Sequence, residues 1–205
     1  MIDYNLPYNY RYEDPVTGCD NAVESDVRSL VNLIALLGED LIGVELGVGE
    51  AESFMTLLHN CRNIKTLYGI DSYKPYADYL KHPFDGTPAY VMGWKEIERT
   101  RDIALNKIKH SGMIEKTIFL QQDSNKAADT FDDESIDFIF VDTYMSYEQA
   151  KNDLEVWYPK VKKGGLFSGH DWGSDQIQMA VDEFRCSNNV NKRMSTFDNC
   201  WCWYK

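Results

Sequence analysis

Acidic side chains recur where the short apolar runs of this sequence give out. The first run leads into Glu45-Leu46-Gly47-Val48-Gly49-Glu50, the second into Asp71-Ser72, and the third into Asp123-Ser124. The fourth ends at Asp142 and the fifth at His170-Asp171. Carboxylates hold cationic groups, accept hydrogen bonds from hydroxyls and, beside an imidazole, help to move protons. Any one acid at such a place is more often a helix cap. Five in succession argue for a ligand. His170 has two readings: a strand-end side chain that shapes its loop through backbone hydrogen bonds, or a general base oriented by Asp171 or Asp142. The second is favoured.

The elements that must position these residues are legible from periodicity. Val23, Val27, Leu30, Val31, Ile34 and Leu37 form a helical stripe that begins near Asn21 and stops at Gly38. Strands are expected at 41–46, 67–70, 117–121, 136–141 and 166–169, and helices at 50–60, 94–110, 147–158 and 175–184. The tail, 193–197 and 200–204, reads as a hairpin around Asp198-Asn199. Alternating strands and helices predict an α/β fold: a Rossmann-like, doubly wound, mostly parallel seven-stranded sheet with an antiparallel C-terminal hairpin. Residues 1–205 read as one domain. Residues 1–20 form an aromatic N-terminal segment. Residues 72–92, with Tyr73, Tyr76, Tyr79, Phe84 and Tyr90, read as an aromatic insertion that either covers the acceptor as a lid or packs as a satellite core.

In such sheets ligands sit at the carboxyl ends of the strands. A dinucleotide would place its pyrophosphate on the glycine turn, yet Glu45, Glu50 and Glu52 crowd that turn with negative charge, and Glu52 stands where a third glycine would be. S-adenosylmethionine carries no phosphate; its sulfonium and ammonium suit carboxylate neighbours. Asp71, with Ser72 beside it, is placed to accept from ribose hydroxyls of either ligand.

The stretches Val44-Glu45-Leu46-Gly47-Val48-Gly49, Gly69-Ile70-Asp71 and Gln122-Asp123-Ser124 resemble class I S-adenosylmethionine-dependent methyltransferases. Ile136 to Asp142, Ser146-Tyr147-Glu148, Asp153-Leu154, Trp157-Tyr158-Pro159 and Gly169-His170-Asp171 are similar to the branch of macrolide-sugar O-methyltransferases. The resemblance implies that Glu45, Gly47 and Gly49 line the methionine end of the cofactor, with Ser53 beside them. It implies Asp71 at the ribose, Asp123 and Ser124 at the adenine, and Asp142 by the methyl group and acceptor. His170 and Asp171 would lie near the acceptor, where relatives place metal ligands. One departure is clear. Where that branch has Asp-x-Asp-His-Ser-Tyr, this chain has Asp142-Thr143-Tyr144-Met145-Ser146-Tyr147. Asp142, His170 and Asp171 remain as a set for Mg²⁺, with waters or substrate oxygens completing it. Tyr144 could instead donate a hydrogen bond to the acceptor.

A net charge of −12 disfavours nucleic acid as a partner. No apolar run approaches membrane-spanning length. The five cysteines are read as reduced, buried thiols, and no signal peptide is evident, so a cytoplasmic location is expected. The expected activity is transfer of a methyl group to a hydroxyl of a small-molecule acceptor, with the oligomeric state open. The alternatives are a metal-dependent, hydroxylase-like relative, a nicotinamide-dependent oxidoreductase and a non-catalytic nucleoside-binding protein.

Overall fold

A computed structural model describes residues 11–13, 20–22, 27–74 and 94–205. The aromatic side chains Tyr76, Tyr79, Phe84 and Tyr90, and most of the insertion they belong to, lie outside the described residues, as do Tyr4, Tyr8 and Tyr10. Strands β1 (Arg11–Glu13) and β2 (Asp20–Ala22) pair antiparallel as a separate ribbon. The expected helix therefore starts later than Asn21: α1 spans Arg28–Ala35 and buries Leu30, Val31 and Ile34.

The main sheet is built from β3 (Leu41–Leu46), β4 (Ile64–Ile70), β5 (Thr117–Leu120), β6 (Ile136–Val141), β7 (Val161–Gly169), β8 (Ser195–Phe197) and β9 (Cys200–Tyr204). Their order is β5-β4-β3-β6-β7-β9-β8. The first five pair in parallel, while β9 runs antiparallel to β7 and to β8. Strand β7 starts earlier than its apolar run suggests, because Val161 pairs with Ile136 before the register shifts around the Lys162-Lys163-Gly164-Gly165 stretch.

Helices α2 (Glu52–Asn60), α3 (Trp94–His110), α4 (Ser124–Ala127), α5 (Tyr147–Trp157) and α6 (Asp175–Ser187) complete the chain. Residues of α1, α2 and α3 share one core with Phe138 and Phe140; residues of α4, α5 and α6 share the other with Val44, Leu46 and Ile139. Strands buried on both faces read as continuous apolar runs rather than alternating ones, as β3 and β6 do. In β9 the two faces separate by period two. Cys200 and Cys202 enter the first core, and Trp201 and Trp203 enter the second, their rings stacked at 5.2 Å. Cys61 is buried too, but Cys186 is exposed on α6 and departs from the expectation of a buried thiol.

The chain winds from β3 outward to β5, then returns to place β6 on the other side of β3. That reversal opens a crevice between the carboxyl ends of β3 and β6.

Candidate functional site

Glu45 lies on β3 with no solvent exposure. Ser53, in the first turn of α2, donates from Oγ to Glu45 Oε1 at 2.5 Å. Oε2 is buried and meets no hydrogen-bond partner among the described residues. Burial pushes this carboxyl well above the usual range; the negative charges of Asp142 and Asp71 add to the rise, against the Ser53 hydrogen bond.

The turn after β3 is held open by its backbone. Gly47 has φ 81°, and a Cβ there would overlap the Asp142 carbonyl oxygen. Gly49 has φ 53°, and a Cβ there would enter open space. Ala51 is also left-handed at φ 65° and leads into α2. Asp71 braces the turn: Oδ2 accepts from the Gly49 N–H at 3.0 Å and Oδ1 from the Tyr73 N–H at 2.8 Å. Burial raises the Asp71 carboxyl, while the backbone donors at Tyr73, Gly49 and Val48 pull it back. Ser72 Oγ accepts a long contact from the Lys74 N–H at 3.4 Å. Tyr73, grouped by sequence with the lid aromatics, is buried. Its hydroxyl donates to the Gly49 carbonyl at 2.6 Å, and its ring stacks on Phe119.

Asp123 is the N-cap of α4, its Oδ1 accepting from the Lys126 N–H at 3.2 Å. The Ser124 hydroxyl donates to Asp153 Oδ1 at 2.6 Å. Beside it, Asn125 Oδ1 is buried without a partner among the described residues.

On the other side of the crevice, Asp142, His170 and Asp171 converge. His170 Nδ1 lies 3.1 Å from Asp171 Oδ1 and 3.5 Å from Asp142 Oδ1. Suitable donor atoms of all three lie within 4.8 Å of one another. The His170 backbone is pinned on both sides: its N–H donates to the Val141 carbonyl at 3.0 Å, and its carbonyl accepts from Trp201 Nε1 at 3.1 Å. Asp171 sits at φ 58°. A recess beside the trio is walled by Val141, Ala150, Leu154, Ile177 and Trp201. Tyr144 is half-buried in the loop after β6, and Met145 is 48% exposed.

Glu45, Asp71 and Asp142 are thus brought near one another, while Asp123 caps α4 after the edge strand β5. Two features escaped sequence reasoning. One is Trp201, because a strand indole alternating with Cys200 and Cys202 reads as core until its N–H partner is seen. Asp153 belongs to a stretch that carries the family resemblance, but nothing in the sequence gave it a role, yet it is fully buried and accepts from three side chains.

Comparisons with known proteins agree with this geometry. A family model described as a methyltransferase domain matches residues 44–172. No curated protein matches by sequence. Solved structures share the fold at low identity. A protein assigned as an rRNA methylase from Clostridium thermocellum is 14% identical, covering 89% of this chain and 97% of its own, with TM-score 0.62. The O-methyltransferase NovP is 21% identical, covering 86% and 79%, with TM-score 0.61. A protein assigned as a caffeoyl-CoA O-methyltransferase from Staphylococcus aureus is 14% identical, covering 87% and 83%, with TM-score 0.55. No helix among the described residues is long and apolar enough to cross a membrane. With its strand order, its glycine turn and a family match over more than half its length, the chain belongs to the S-adenosylmethionine-dependent methyltransferases of class I fold.

Proposed function

We propose that this methyltransferase acts on a hydroxyl oxygen of a small-molecule acceptor, with His170 receiving the hydroxyl proton. The observation that carries the proposal is the imidazole at the crevice whose Nδ1 faces two carboxylates. A proton arriving on the ring is stabilised by both. The O-methyltransferase activity in the name of the neighbour NovP points the same way.

The residues fit the donor. The partnerless Glu45 Oε2 suits an ammonium group, which would supply the missing donor. Open space at Gly49 admits a ligand against the backbone. In this reading Glu45, Gly47 and Gly49, with Ser53 supporting Glu45, bind the methionine end. Asp71 and Ser72 bind the ribose, and Asp123 and Ser124 border the adenine. When bound, S-adenosylmethionine supplies a methyl group on a positively charged sulfur, already a good leaving group. The protein's task is then to orient the acceptor and remove one proton. In the same reading Asp142 faces both donor and acceptor, beside a recess walled by apolar side chains.

A second reading adds a divalent cation. Asp142, His170 and Asp171 would hold it, and it would lower the pKa of the acceptor hydroxyl. The set is poor in oxygen for Mg²⁺, so waters or acceptor oxygens would complete the shell.

A panel of hydroxyl and amine acceptors, assayed with and without chelator, tests both readings. Transfer to hydroxyls that survives chelation supports His170 as the base. Loss on chelation supports the metal. Transfer to amines alone overturns the proposal.

A further inference from the structure

Asp153 lies on the inner face of α5 with no solvent exposure, and it ties together two loops that are distant in the sheet. Its Oδ1 accepts from Ser124 Oγ at 2.6 Å, on the loop after β5. Its Oδ2 accepts from Thr143 Oγ1 at 2.7 Å, on the loop after β6 and next to Asp142. Gln149, one turn earlier on the helix, donates from Nε2 to Asp153 Oδ2 at 2.9 Å and to Ser124 Oγ at 3.1 Å. The Ser124 carbonyl is held as well, accepting from Trp157 Nε1 at 3.2 Å. Strands β5 and β6 are separated in the sheet by β4 and β3. Helix α5 therefore holds the loops after β5 and β6 together with one carboxylate.

A buried carboxylate is costly unless its lone pairs are occupied, and here the donors come from both loops. Neither loop can move without leaving the carboxylate short of a partner. We propose that Asp153 is a positioning residue for methyl transfer: it couples the adenine-side loop to the loop that carries Asp142. The inference rests on the reading of Ser124 and Asp142 as the two ends of the donor site. It asks nothing of Asp153 itself but geometry, since both carboxylate oxygens are taken up by the protein's own side chains.

The test is a double-mutant cycle on affinity for S-adenosylhomocysteine, measured by calorimetry. Thr143→Val keeps the side-chain shape and removes the donor of one loop; Ser124→Ala removes that of the other loop, and Gln149 stays in place. Each should weaken binding about fivefold to tenfold, the loss of one buried hydrogen bond. The double variant should be hardly worse than either single one, because either change opens the clasp. Thr143→Ser, which keeps the hydroxyl, should restore the affinity. In parallel, amide hydrogen exchange on the ligand-free protein should rise at 123–127 in Thr143→Val, far in sequence from the change. Additive losses, or exchange that rises only around 142–146, would overturn the coupling. Absence of binding by the unmodified protein would instead overturn the donor assignment, and the exchange experiment would still decide on the clasp.

Discussion

Replacing Glu45 by Gln should move stability and binding in opposite directions. The side chain is fully buried, and one of its oxygens has no partner among the described residues. Burial, with Asp142 and Asp71 nearby, raises its carboxyl well above the ordinary range. In the ligand-free protein, the folded state thus holds a proton that the unfolded chain has already released. Stability from this group is present at acid pH and falls as pH rises through the raised value. Each unit of upward displacement opposes the folded state by about 1.4 kcal/mol at higher pH. The neutral amide escapes that penalty. At pH 8 the ligand-free variant should melt higher than the parent, by about 2–4 °C for each kcal/mol recovered. Binding should suffer instead. An ammonium group seated on Glu45 makes a buried charge pair, and removing one partner of such a pair costs about 2–5 kcal/mol. That is a loss of between about 30-fold and a few thousandfold in affinity for S-adenosylhomocysteine. Calorimetry of the parent in two buffers of different ionisation enthalpy should also show protons released on binding near the raised value, and the variant should release fewer. Scanning fluorimetry from pH 5.5 to 8.5, with and without ligand, reads both effects. A variant that binds like the parent, or that melts lower without ligand at pH 8, would refute the reasoning.

Other outcomes follow from the same geometry. His170→Ala should lower turnover by about 10²- to 10⁴-fold with little change in S-adenosylhomocysteine affinity, as expected for loss of a general base; equal losses in both would count against it. Gly47→Ala combines a left-handed backbone with overlap on the Asp142 carbonyl oxygen, so urea denaturation should show a loss of at least about 2 kcal/mol. Gly49→Ala meets open space and should cost only about 1 kcal/mol of stability, its larger effect falling on ligand binding. Ligand-free stability should fall as pH rises above the ordinary carboxylate range, because burial raises Asp71 and Asp153 as well as Glu45, so the folded state keeps protons that the unfolded chain has released. A rising or flat profile there would contradict those environments.

The parallel core of the sheet was readable because buried strands flanked by helices leave short apolar runs, each closed by a polar residue. Both edges of that pattern were harder to see. Strand β7 begins at Val161, but its Lys162-Lys163-Gly164-Gly165 stretch has the composition of a turn. Helix α4 is only four residues long and shows no period to detect. The stripe before Leu30 blended into β2, since Asn21 and Ala22 carry no strand signal. Within the site, residues at strand ends were found because topology alone places them together. Their partners were not, for a different reason. Asp153 and Trp201 act through contacts made across the sheet, and sequence spacing holds no record of those. Asp71 shows the same limit. Its position suggested a ribose partner, while the folded chain also employs it to brace the glycine turn.

Strand β9 is the last element to reach the sheet, and it does two jobs at once. It satisfies the free edge of β7 and brings the Trp201 indole to the His170 carbonyl. A nascent chain that has emerged only as far as α6 would already own the glycine turn and its acidic neighbours. It would still present β7, with Leu166 and Phe167, as an open hydrogen-bonding template for other chains. Synthesis therefore passes through a stage that has the glycine turn but is vulnerable to clumping. Shortening the protein ahead of Cys200 should be felt first as insolubility, before any question of catalysis arises.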